Sequence, residues 1–336
     1  MTQTLDIAVI GATGTVGEAL VQILEERDFP VGTLHLLASS ESAGSSVSYR
    51  GKNVRVREVD EFDFAKVKLV FFTAGPAVTL SYAARAHAAG CSLIDLSGAL
   101  PADQAPQVVP EANVEVLAGL KAPFQVSSPS PSATALAVVL APLRELIELQ
   151  YVHVTANLAI SAQGREAVSE LARQTAELLN LRPLEPKFFD RQVAFNVLAQ
   201  VGTPDAQGHT LLEKRLVREL RQMLALPSLK ISATCIQAPV FFGDSFSVTL
   251  QSASAVDLEK VNAALEDAPG IELVEAGDYP TAVGDAVGQD VVYVGRVRGG
   301  IDEPSELNLW LTSDNVRKGA ALNAVQVAEL LIKDLL

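Results

Sequence analysis

"DIAVIGATGTVGEALVQIL", residues 6–24, decides how the chain begins to fold. "DIAVI" is a short apolar run, and Val16, Ala19, Leu20, Ile23 and Leu24 then recur at helical spacing. Three glycines, at 11, 14 and 17, stand between them, so the stretch reads as strand, glycine turn, helix. In such a turn Gly11 permits the tight bend, Gly14 lets the backbone approach a pyrophosphate, and Gly17 allows the helix to pack closely. The amides of the helix N-terminus then form an anion site. The spacing G-x-x-G-x-x-G is one residue longer than the commonest dinucleotide fingerprint, and a tight turn with no ligand is the plain alternative. Its position between a strand and a helix favours nucleotide binding, with Gly11, Thr13, Gly14, Thr15, Val16 and Gly17 as candidate contacts.

Outward from this unit, strands and helices alternate. "TLHLLASS", "KVKLVFFTAG", "CSLIDLSG" and "PFQVSS" read as strands and "LSYAARAHAAG" as a helix, which predicts an α/β fold with a Rossmann-like doubly wound parallel sheet. A second strand that held an NAD ribose should end in an acidic residue; this one ends in Ala38, Ser39 and Ser40, with Glu41 next. After a helix expected over 132–149 the pattern changes. "YVHVTANLAI", "KISATCIQAPVFF", "SFSVTLQ", "VVYVGRVR" and "ELNLWLTS" alternate apolar with polar residues, and "EAVSELARQTAELL" is helical, which predicts an α+β domain on a half-exposed, largely antiparallel sheet. The amphipathic "KGAALNAVQVAELLIKDLL" returns to the first domain, giving expected domains of 1–130 plus 313–336 and 131–312.

Bulk properties exclude several classes. The chain has 336 residues, 49% hydrophobic and 20% charged, with net charge −14 and pI near 4.8, a balance that argues against nucleic acid and anionic membranes as partners. The N-terminus has no basic region before its apolar run, and "ATALAVVLAPL" is too short for a bilayer, so a cytoplasmic location is expected. Cys91 and Cys235 sit in apolar runs and read as reduced core thiols, and no His/Cys/Asp cluster has metal-ligand spacing, so no metal is expected.

"SSPSPSATALAVVLAPL", residues 127–143, raises a chemical question, because Ser130 or Ser132 falls at the head of a helix where enzymes often hold a nucleophile. A serine needs an adjacent base, and the G-x-S-x-G elbow is absent, so capping of the helix is the simpler role for Ser130.

"GATGTVG", "LASSESAG", "VVPEAN", "FNVLAQ", "SATCIQAPV" and "SDNVRKGAALNAVQVAE" together resemble, in order and spacing, the aspartate-semialdehyde dehydrogenase family over nearly the whole chain. Within it the likeness is to the Usg group of homologues that lack the catalytic cysteine. The resemblance implies an NADP-binding Rossmann domain, a dimerising α+β domain, a homodimer formed through a broad apolar sheet face, and cofactor contacts that add Ser39, Ser40, Asn315 and Gly319. It also implies the family chemistry, in which a cysteine attacks the aldehyde, hydride passes to NADP, and phosphate releases the acyl group.

Carried over by this resemblance, the nucleophile position falls on Pro131, or on Ala133 if the register shifts by two. The orienting glutamine falls on Leu158, the acid/base histidine on Asp244, the carboxylate-clamping arginine on Gln237 and, across a one-residue gap, the phosphate-binding arginine on Leu100. Glu213 of the substrate-contacting helix is retained, with Lys214 or Arg215 near the basic position, and none of the four histidines matches a catalytic position. Glu41 stands where the family has an arginine for the 2'-phosphate, which weakens the case for NADP over NAD. Three functions stay open: a homologue that has lost the dehydrogenase reaction but keeps a dinucleotide and possible small-molecule or protein ligands, an NAD(P)-dependent oxidoreductase with a different substrate, and a genuine aspartate-semialdehyde dehydrogenase.

Overall fold

The protein is described as a computed structural model over residues 4–334, so Leu335 and Leu336 of the expected last helix lie outside the described residues. The chain divides into two compact units, one running to Ser130 and taking in the segment from Ala320, the other Pro131–Gly319.

In the first unit β1 (Leu5–Ile10) leads through the glycine turn into α1 (Thr15–Glu26) and β2 (Val31–Ala38). A hairpin follows, β3 (Ser46–Tyr49) and β4 (Lys52–Glu58), then β5 (Leu69–Phe72), α2 (Pro76–Ala88), β6 (Ser92–Asp95), a short α3 (Pro110–Asn113) and β7 (Gln125–Ser127). The sheet order is β3-β4-β2-β1-β5-β6-β7, parallel throughout except for the β3–β4 hairpin. β1 is apolar along its length because both faces are covered: Ile7 and Val9 join one core with Leu20 and Leu24 of α1, and Ala8 and Ile10 join another with Phe72 and Ala86. This is the doubly wound sheet expected. The hairpin was not expected; it turns at Arg50-Gly51, where both residues have positive φ.

In the second unit α4 (Pro131–Arg144) is small, apolar and buried almost all round. It ends at Arg144, short of the expected 149. β8 (Leu149–Leu158), α5 (Arg165–Leu179), α6 (Leu211–Met223), β9 (Lys230–Gln237), β10 (Asp244–Ser252), α7 (Leu258–Glu266), β11 (Ile271–Leu273), β12 (Val292–Gly299) and β13 (Glu306–Ser313) complete it. The sheet order is β11-β12-β13-β10-β8-β9, antiparallel at its three inner junctions and parallel at its two edges. β9 stops at Gln237, short of the expected "APVFF", where Pro239 brings a residue with no N–H.

Two further expectations change. The broad apolar sheet face is not there: the residues that alternate with the core on β8, β10 and β13 are mostly Thr155, Asn157, Ser245, Ser247, Thr249 and Asn308, polar groups relieved by Tyr151 and Trp310. The outward side chains of these strands are thus mainly hydroxyls and amides. The expected boundary at 313 also moves, because residues 313–319 belong to the second unit. Ser313 is paired with Asp244, the Asn315 amide oxygen accepts from Gly243 N, and Asp314 accepts from Gly288 N. A π-helical turn, Arg317–Leu322, then leads into α8 (Asn323–Leu331), whose Val325 and Ala328 join the core beside α1.

Among the described residues no helix is long and apolar enough to cross a membrane, and no group of three His, Cys, Asp or Glu side chains is placed to hold a metal ion.

Candidate active site

The first unit carries the glycine turn. Gly11 sits at φ +90°, and a Cβ there would stand 2.7 Å from Ala74 N. A Cβ on Gly17 would stand 2.2 Å from the Gly11 carbonyl oxygen, so the first helical turn can lie this close to the strand end only as glycine. Gly11 and Ala12 both donate to Leu37 O, which pins the turn to β2. Gly14, the N-cap, offers no side chain to the first-turn amides, and a Cβ on it would meet only Gly11 O at 3.3 Å. A helix head with no side-chain cap leaves its first-turn amides to other acceptors, and this fits a phosphate held by backbone donors. Ser39, Ser40 and Glu41 are exposed on a turn at the end of β2, where Ser39 O accepts from Ser42 and Ala43.

Leu100 belongs to the same unit. Its N–H donates to Asp95 Oδ2 at 3.0 Å and its side chain packs on the core beside α2. Asp95 also accepts from the Ser97 amide and hydroxyl and from Thr79, so its carboxylate organises this loop.

In the second unit three of the carried-over positions come together. Leu158 and Gln237 are paired across β8 and β9, and Asp244 opens β10 on the other side of β8. All three are almost wholly buried. Gln237 donates from Nε2 to Leu158 O at 2.7 Å, and Asp244 Oδ1 accepts from Ala159 N at 2.8 Å. Burial raises Asp244 to about 7, with the nearby Asp314 charge adding to the rise. Pro131 is the first residue of α4, where a proline fits because the first-turn N–H groups have no helical partner. Gly319 lies against it: a Cβ on Gly319 would be 2.7 Å from Pro131 Cβ.

Both cysteines are held as thiols. Burial pushes Cys91 up to about 11, and it lies in the first unit; burial, followed by the charges of Glu213 and Asp244, pushes Cys235 up to about 12. Ser130 and Ser132 are buried.

Asn315 is enclosed, its amide oxygen accepting from Gly243 N at 3.0 Å and its Nδ2 donating to Ser161 Oγ at 3.0 Å. Glu213 accepts from Thr210 N and from Cys235 N, so it caps α6 and ties that helix to β9. Asp314, not among the expected site residues, accepts from Val316, Arg317 and Gly288 amides and shapes the turn that carries Asn315 and Gly319. Its signal was the Asp at the head of "DNVR", a residue type that bonds the backbone two and three positions on.

A doubly wound sheet with an uncapped glycine turn, followed by a mixed-sheet unit that buries Gln237 and Asp244, defines a two-unit protein of the nicotinamide-dinucleotide-binding class. Residues 6–120 match the semialdehyde dehydrogenase NAD binding domain and residues 140–318 the semialdehyde dehydrogenase dimerisation domain. The chain is 63% identical to a protein of Azotobacter vinelandii named USG-1 protein homolog, over 99% of each chain. It superposes with TM-score 0.96 on a probable aspartate-semialdehyde dehydrogenase from Pseudomonas aeruginosa, 57% identical, covering 98% of this chain and 99% of that one. It superposes with TM-score 0.95 on aspartate semialdehyde dehydrogenase II from Vibrio cholerae, 40% identical, covering 99% of each. The chain belongs to the aspartate-semialdehyde dehydrogenase family, with close relatives that carry the Usg name, and its first unit is that family's NAD(P)-binding domain.

Proposed function

We propose that this family member has lost the phosphate-dependent oxidation of aspartate semialdehyde and persists as a dinucleotide-binding homodimer. One observation carries the reading: the helix head that in the family presents the nucleophile begins here with Pro131, and the backbone of Gly319 lies against its ring. The surrounding exchanges point the same way. Leu158 can neither donate nor accept through its side chain, Gln237 brings no positive charge for a carboxylate, and Leu100 brings none for phosphate. Loss of a nucleophile alone removes about four to six orders of magnitude of rate.

The cofactor contacts we assign are the backbone of Gly11, Thr13, Gly14, Thr15, Val16 and Gly17, with Ser39 and Ser40 toward the ribose. Asn315 serves by holding its own turn, and Gly319 by its lack of a side chain. Self-association rests on the second unit, which matches a dimerisation domain and exposes Phe195 and Val197 beside the Leu198–Gln237 bridge. Sedimentation at micromolar concentration should give a dimer, and a monomer alone would refute it. Asp244 favours a second reading, an oxidoreductase acting on a different, less anionic substrate, since a buried carboxyl that titrates near neutrality can exchange a proton without a covalent intermediate.

The test is restoration. Pro131→Cys alone should gain faster alkylation but no phosphate-dependent NADP reduction. Restoring cysteine, glutamine, histidine and both arginines at 131, 158, 244, 237 and 100 should exceed the sum of the single changes, because catalytic groups act as a unit. Turnover by the single variant comparable to the five-fold one would refute the reading.

A further inference from the structure

β9 is an edge strand, and its outward main-chain groups have unequal fates. Gln237 pairs with Leu198 on both its N–H and its C=O, and the Cys235 N–H donates to Glu213 Oε1 at 3.1 Å. By the two-residue alternation of a strand, Ile231 and Ala233 point to the same side. Among the described residues no intrachain partner takes their N–H groups. They line a groove of about 660 Å³ whose other wall is α6.

That wall is basic. Lys214, Arg218 and Arg221 fall at i, i+4 and i+7, one face of the helix, on a chain whose net charge is −14. Arg221 donates through Nε to Leu229 O, Lys214 is paired with Asp205, and among the described residues Arg218 has no partner. The one acid of the groove, Glu213, is already engaged by two backbone amides. Val217, Pro227 and Ile231 add apolar surface. A second copy of this chain pairing edge to edge would set one basic row against another, so self-pairing is disfavoured.

We propose that this groove binds an extended acidic peptide segment, which adds as a strand beside Ile231 and Ala233 and sets carboxylates against Arg218, Arg221 and Lys214. Main-chain bonds would give the affinity and the basic row the charge preference. Competing edges are already closed at Cys235 and Gln237, which limits the added strand to a few residues.

The probe is a fluorescein-labelled, acetylated and amidated hexapeptide of alternating glutamate and threonine, measured by fluorescence polarisation with the full-length protein. Binding should weaken about tenfold in Arg218→Glu/Arg221→Glu. It should weaken about as much in Ala233→Pro, which deletes an outward N–H without removing a bond to β8. The same peptide N-methylated at alternate residues should bind equally poorly to the wild type, which keeps the test decisive if Ala233→Pro fails to fold. Failure of the glutamate peptide to bind at millimolar concentration would overturn the proposal. So would binding untouched by N-methylation, or equal binding of the peptide with lysine in place of glutamate.

Discussion

Gly319 and Pro131 touch: a side-chain carbon on the first would stand 2.7 Å from Cβ of the second and 3.0 Å from its Cα. The turn after β13 is therefore built to the shape of the ring at the head of α4. Gly319→Ala should lower stability by about 1–3 kcal/mol through overpacking. Urea unfolding measures this, and an unchanged midpoint would show that the turn has room to move.

The two later glycines of the first turn should differ sharply. Gly17→Ala puts a carbon 2.2 Å from the Gly11 carbonyl oxygen, whereas Gly14→Ala brings one only to 3.3 Å of the same atom. Calorimetric titration with NAD and NADP should show at least about a tenfold loss for the first variant. Gly14→Ala should keep the fold and lose only what its methyl displaces from the anion site. Equal tolerance of both would contradict the geometry.

Stability should depend on pH through Asp244. Its carboxyl is raised from 3.8 to about 7 in the folded chain, so folding favours the protonated form. This contribution is complete below the unfolded value, declines as pH rises from about 4, and is gone above about 7. Asp244→Asn should flatten this decline, which on linkage is on the order of a few kcal/mol. Thermal melts of wild type and variant across that range test it; parallel curves would remove the claim.

Glu41 is exposed directly after the turn residues Ser39 and Ser40. Its charge repels a 2'-phosphate, so Glu41→Arg should raise the preference for NADP over NAD by at least about tenfold. Wild-type binding of NADP already tenfold tighter than NAD would sink the argument.

Much of this fold could be read from residues 6–24, because the change from apolar run to helical periodicity across Gly11, Gly14 and Gly17 is a local signal. Alternation likewise marked the strands of the second unit, but not the polarity of the outer face, which depends on which residues share a side across several strands. The hairpin at Ser46–Tyr49 and Lys52–Glu58 is short, hydrophilic and on the sheet edge, where burial leaves little hydrophobic imprint. The buried row of Leu158, Gln237 and Asp244 is nonlocal, and no spacing in the sequence joins positions so far apart. Only likeness to a known family picked them out, and β8, β9 and β10 bring them side by side. The role of Gly319 against Pro131 was hidden for the same reason.

The most direct measurement is the rate at which the unmodified protein reduces NADP with aspartate semialdehyde and phosphate. If Pro131 takes the nucleophile position, as proposed, there should be no phosphate-dependent rate above background. A turnover above about 1 s⁻¹, within the ordinary enzyme range, would contradict the loss of the active site.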